Sequence, residues 1–164
     1  MIEPQNNADT VGIQATTVYF VVPLKPKVAQ ADPGPTENLV QCAYFDSSWQ
    51  PVSSKQINTD ANSGSITFQQ QGQMPASALD TLDEGVEPDK GVALFSAVAK
   101  TLEFDCKMPS TFMAVTRKGL GSVEVPVESR TTRGVVLIFR RPAEGGAQKL
   151  IATADPEIRN GSGT

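Results

Sequence analysis

The chain has 164 residues and a mass of 17.4 kDa, 39% apolar and 20% charged, with 13 glycines and 12 prolines; this suits one domain able to bury roughly 68–70% of its unfolded surface, and its many turn formers favour short strands over long helices. It contains no histidine, which removes the usual general base near neutral pH, the Ser–His and Cys–His pairs and the commonest metal ligand. A formal net charge of −4 and a pI near 4.8 also set it apart from basic domains that grip nucleic acid with their whole surface.

Residues 1–14 are polar and lack periodicity, so a flexible N-terminal arm is expected there, ahead of a single globular domain over 15–154 and a loose tail over 155–164. The first residues show neither a basic n-region nor an apolar h-region, and no stretch reaches the roughly 20 apolar residues a spanning helix needs. The expectation is a protein made in a cytoplasm, with no membrane partner. "ATTVYFVVPL" over 15–24 is rich in β-branched and aromatic residues and predicts a buried strand, and the proline-rich "KPKVAQADPGPTEN" predicts a loop. "LVQCAYF" and "SGSITFQQQ" predict two further strands.

In the middle of the chain, Val92, Phe95, Val98, Ala99 and Leu102 fall at helical spacings, Pro88 suits a first helical turn, and Glu87 and Asp89 complement the positive end of a helix dipole. These features predict one packed helix over about 88–104, preceded by a short helical turn around Ala78, Leu79 and Leu82. After Pro109, "TFMAVTR", "SVEVPV", "GVVLIF" and "KLIATA" alternate with glycine-bearing connections and predict a four-stranded meander. The fold class that follows is α+β or mainly β: an antiparallel sandwich or barrel of about seven short strands with the helix laid against it.

The chemistry-bearing signals are few. There is no phosphate-cradling glycine loop, no dinucleotide fingerprint and no nucleophile elbow. Cys42 and Cys106 sit beside large apolar residues and predict buried thiols. No enzyme, cofactor or metal is expected. "DTLDEGVEPD" gathers Asp80, Asp83, Glu84, Glu87 and Asp89; oxygen ligation of a hard cation is conceivable chemistry for such a set, but its spacing is not that of an EF-hand, and carboxylates that favour a helix start account for it.

Charge placement is the most informative signal. Residues 1–106 hold five lysines and no arginine against thirteen carboxylates, whereas residues 107–149 hold eight lysines and arginines against three glutamates. Arg117, Arg130, Arg133, Arg140 and Arg141 therefore concentrate in the C-terminal strands, with two on each side of "GVVLIF", about 20 Å apart if that run is extended. Arginine's planar fork suits carboxylate or phosphate. Contact of these arginines with the acidic Asp80–Asp89 stretch of a neighbouring copy uses both halves of the asymmetry; the alternatives are a nucleic-acid footprint and charges that pair within one chain or solvate strand ends.

A β-rich domain with one helix, an N-terminal arm and no catalytic signature resembles, in architecture, the small building-block proteins of bacteriophage particles: tail-tube subunits, capsid-decorating proteins and assembly cofactors. That resemblance implies a non-enzymatic structural or assembly subunit of a virion, acting through homo-oligomeric or other subunit contacts. A nucleic-acid-binding accessory protein that uses the basic C-terminal strands is the alternative.

Overall fold

The computed structural model describes residues 17–28, 39–54, 57–58, 64–103, 112–114, 117–119, 121–127, 132–142, 144–153 and 157–159. Among them lie thirteen strands: β1 (Thr17–Pro26), β2 (Leu39–Asp46), β3 (Pro51–Val52), β4 (Ile57–Asn58), β5 (Ser65–Gln70), β6 (Val86–Pro88), β7 (Ala93–Glu103), β8 (Phe112–Ala114), β9 (Arg117–Gly119), β10 (Ser122–Pro126), β11 (Thr132–Pro142), β12 (Gln148–Thr153) and β13 (Glu157–Arg159). One α-helix, α1 (Ala76–Leu79), and a short 3₁₀ turn at Glu144–Gly146 complete the order.

Seven strands close most of the way into a barrel, in the mainly β form that the composition predicts. Around it run β7, β11, β12, β2, β1, β5 and β10, with β7 returning alongside β10 and β5. Most neighbours are antiparallel, but β5 runs parallel to β1 and β12 parallel to β2. Where backbone pairing gives out between β5 and β7, a side chain takes over. The Gln70 carboxamide donates to the Val92 carbonyl at 2.8 Å and accepts from the Leu94 N–H at 2.6 Å, as a strand residue would. The barrel interior holds Tyr19, Val21, Tyr44, Ile66, Phe68, Leu94, Val123, Val125, Val135, Leu137, Phe139 and Ile151, all buried, each contributing on the order of 1.5–3 kcal/mol of burial.

A second, smaller cluster lies outside the barrel wall. Alternate residues of β1 and β2, Phe20, Val22, Leu24, Ala43 and Phe45, point outward beneath Ala78 of α1, Met74, Leu82 and Trp49. Strand β1 is thus apolar on both sides because both sides are covered. Asp46 ends β2 by accepting the N–H groups of Ser48 and Gln50, both at 2.9 Å, and this tight turn holds Trp49 at φ 61°.

Three expectations need correction. The stretch predicted as a helix over 88–104 is extended: Pro88 ends β6, and β7 pairs with β11 over nearly its whole length. The buried set is Val92, Leu94, Ala97 and Ala99, a two-residue alternation interrupted once. The ladder steps from Phe139↔Leu94 to Ile138↔Ser96 and from Arg133↔Thr101 to Thr132↔Glu103, leaving Phe95 and Leu102 as the extra residues of two β-bulges. Those two, with Val92, Val98 and Ala99, make up the apparent helical stripe.

The C-terminal meander is also broken. Strand β10 pairs with β5 and β9, whereas β11 pairs with β7, β12 and β13. Finally, the segment 155–164 expected to be loose contains β13, whose Ile158 is fully buried. The proposed arm at 1–14 lies outside the described residues.

Candidate functional site

Strand β11 alternates strictly between the two sides of the wall. Arg133, Val135, Leu137 and Phe139 are buried on the inner side, and the half-buried Val136, Ile138 and Arg140 face outward. The register sets Arg140 opposite Ala93 of β7 and Leu150 of β12, and Ile138 opposite Ser96 and Ala152. Ala152 is in turn opposite Leu39, and Val136 opposite Val98. Cross-strand partners lie about 4.5–5.5 Å apart, so these residues form one outward face. Leu39 and Leu150 are 54% and 55% exposed on it, and Val98 is 37% exposed.

Arg140 stands at the end of that face. Its guanidinium lies over the Phe95 ring, 4.5 Å from the centroid, and its Nη1 donates to Gln148 Oε1 at 3.2 Å. The bulge at Phe95 is what brings this ring beneath the arginine, a contact worth about 0.5–1 kcal/mol at an exposed site. With Lys90, Gly91, Val92, Ala93, Pro142 and Gln148, Arg140 lines a recess of about 340 Å³.

The neighbouring Arg141 is committed within the chain. Its Nη2 donates to Asp89 Oδ2 at 2.6 Å, and Asp89 Oδ1 accepts from the Gly91 N–H at 2.9 Å while the Asp89 N–H donates to the Pro23 carbonyl at 2.8 Å. The Asp89 side chain is 3% exposed against 44% for Arg141. A Cβ at Gly91 would come to 3.3 Å from Asp89 Oδ1, so glycine here permits this close approach. The charge pair ties the end of β11 to the entry of β7 and to β1.

The structure therefore divides the ten predicted interface residues. Arg140 is outward and available to a partner. Arg133 is 6% exposed on the inner side of the wall, and burial removes it from any docking surface. Asp89 is enclosed and already paired to Arg141, which corrects its assignment to an intersubunit contact. Glu87, across the β1–β6 ladder from Lys25, pairs with that lysine at 3.6 Å with both side chains nearly half exposed, a contact of about 0–1 kcal/mol. Asp80, Asp83 and Glu84 are exposed in the residues that follow α1, whose last residue, Leu79, is 42% exposed. Arg117 begins β9, and Arg130 lies outside the described residues. Sequence reasoning missed Lys90, Phe95, Gln148 and Leu150; only the β7–β11–β12 register, hidden by the false helical spacing, could have grouped them with Arg140.

Two further features bear on chemistry. The Tyr44 hydroxyl shares hydrogen bonds with Cys42 and Thr153, and burial pushes both the Cys42 thiol and the Tyr44 phenol far above their ordinary ranges. A thiol held neutral in this way is a poor nucleophile. Cys106 lies outside the described residues. Among the described residues no three His, Cys, Asp or Glu gather closely enough to hold a metal ion, and no helix is long and apolar enough to cross a membrane. No protein-family model matches the chain, and comparison with curated proteins and with solved structures gave no match.

Proposed function

We propose that this chain is a non-enzymatic building block of a larger assembly, working through contacts between folded surfaces. The observation that supports this reading is the outward face of β7, β11, β12 and β2, where Leu39, Val98 and Leu150 stand exposed around the half-buried Val136, Ile138 and Ala152, with Arg140 at one end. A largely apolar face with an arginine at its end is the kind of surface a protein partner covers. Membership of a virus particle, with synthesis in a host cytoplasm, belongs to this reading through architectural resemblance alone.

The alternative, nucleic-acid binding by the basic C-terminal strands, draws less from the geometry. Arg133 is buried and Arg141 is bound to Asp89, so fewer cations remain for a phosphate backbone. Light scattering across a concentration series, paired with electrophoretic shift of single- and double-stranded nucleic acid at low and high salt, separates the two. The expected outcome is a mass that rises above 17.4 kDa with concentration and no salt-sensitive shift. A monomer at every concentration that retards nucleic acid at low salt overturns the building-block reading.

A further inference from the structure

Two exposed patches of this chain match each other. One is α1 and the turn that follows it, where Leu79 is 42% exposed and Asp80, Asp83 and Glu84, one to five residues further along the chain, are exposed as well. The other is the recess at the end of the apolar face. There Lys90 and Arg140 supply positive charge, Gln148 supplies a carboxamide, and Leu150, 55% exposed, lies directly across the ladder from Arg140. Each patch sets an exposed leucine beside charges of one sign, and the signs are opposite.

We propose that the Leu79–Glu84 segment of a second copy of this chain docks over the Lys90–Arg140 recess and the adjoining Leu150, with leucine against leucine and the Asp83 and Glu84 carboxylates on Arg140 and Lys90. This rests on the building-block reading and names the partner surface it uses. Complementary charge fixes which surfaces meet and in what register, and apolar contact supplies the desolvated centre. Arg140 is suited to the task because the Phe95 ring and the Gln148 carboxamide already hold its guanidinium, so little freedom is lost when a carboxylate arrives. The patches also sit near one another: Leu79 and Lys90 both line a groove of about 640 Å³ that includes Met74 and Glu87. Where two copies meet about a two-fold axis, the same contact is made twice.

The test uses the full chain in four samples: wild type, Lys90→Glu with Arg140→Glu, Asp83→Lys with Glu84→Lys, and an equimolar mixture of the two reversed variants. Size-exclusion chromatography with light scattering gives the mass of each, and thermal melts check that each is folded. Wild type is expected to self-associate, each variant alone to do so about tenfold or more weakly, and the mixture to recover, because a mixed pair can set native charges against native ones and reversed charges against reversed ones. Association should also weaken between about 0.1 M and about 1 M salt. If a double reversal fails to fold, Leu150→Ser with Arg140→Gln takes its place, with the same loss expected. Undiminished association of both variants overturns this interface and leaves the building-block reading standing. A wild type monomeric at all concentrations overturns the docking proposal, and one that in addition retards nucleic acid overturns both.

Discussion

Strands β1 and β11 look alike as sequence and are used differently. "VYFVVPL" and "GVVLIF" are both uninterrupted apolar runs, and each buries one side in the barrel: Tyr19 and Val21 from the first, Val135, Leu137 and Phe139 from the second. The outer sides differ. Phe20, Val22 and Leu24 of β1 sit in a cluster under α1 and Trp49, whereas Val136 and Ile138 of β11 belong to a face on which Leu39, Val98 and Leu150 are exposed. An apolar run thus does not distinguish a strand whose second side is covered by its own chain from one whose second side stands half open.

The largest effect is expected inside the barrel. Phe139→Ala removes a fully buried ring of β11 and should cost about 3–5 kcal/mol, read as a large fall in the denaturation midpoint. A loss below about 1 kcal/mol would mean that the β11 side of the barrel is far more loosely packed than the β1 side.

A middle-sized effect belongs to the charge pair that joins the two regions. Arg141→Ala leaves the enclosed Asp89 carboxylate with only the Gly91 N–H, and an unpaired buried charge is costly. Because Arg141 is itself 44% exposed and solvent screens its side of the pair, roughly 2–4 kcal/mol is expected. Chemical denaturation at low and high salt checks it: most of the loss should persist in high salt if Asp89 is shielded from solvent.

The smallest effect is on the outer face. Phe95→Ala, which would be disruptive were Phe95 the centre of a packed helix, removes only a half-buried bulge residue and its cation–π contact with Arg140. About 1 kcal/mol is expected in a thermal melt. A loss of 3 kcal/mol or more would show that the outer face of β7 is as tightly packed as that of β1.

How far the sequence could be read follows from the same strands. β1, β2, β5, β11 and β12 were legible because β-branched and aromatic residues crowd between turn formers. β7 was not, since a bulge shifts the phase of alternation by one residue, and two bulges within Ala93–Glu103 turned a period of two into spacings of three and four. The same strand supplies Phe95 and Ala93 to the surroundings of Arg140, so missing it hid the recess as well. The segregation of arginine was visible from the outset, but its division among a buried Arg133, a paired Arg141 and an outward Arg140 depends on strand phase and on what faces each side chain.

The turn that places Trp49 at φ 61° between Phe20 and Phe45, with ring centroids at 4.7 and 5.4 Å, has a spectroscopic consequence. This is the chain's single tryptophan, and both of its tyrosines, Tyr19 and Tyr44, belong to the barrel interior. The chromophores are sorted by layer. Tryptophan emission, excited beyond the tyrosine band, reports the cluster outside the wall, and tyrosine exposure, read by second-derivative absorbance where the two bands separate, reports the space within it, so an unmodified sample carries a distinct optical probe of each. Superimposable transitions would mean that the α1 cap and the barrel melt as one cooperative unit; a tryptophan signal that moves first would mean that the cap lifts off a barrel still closed.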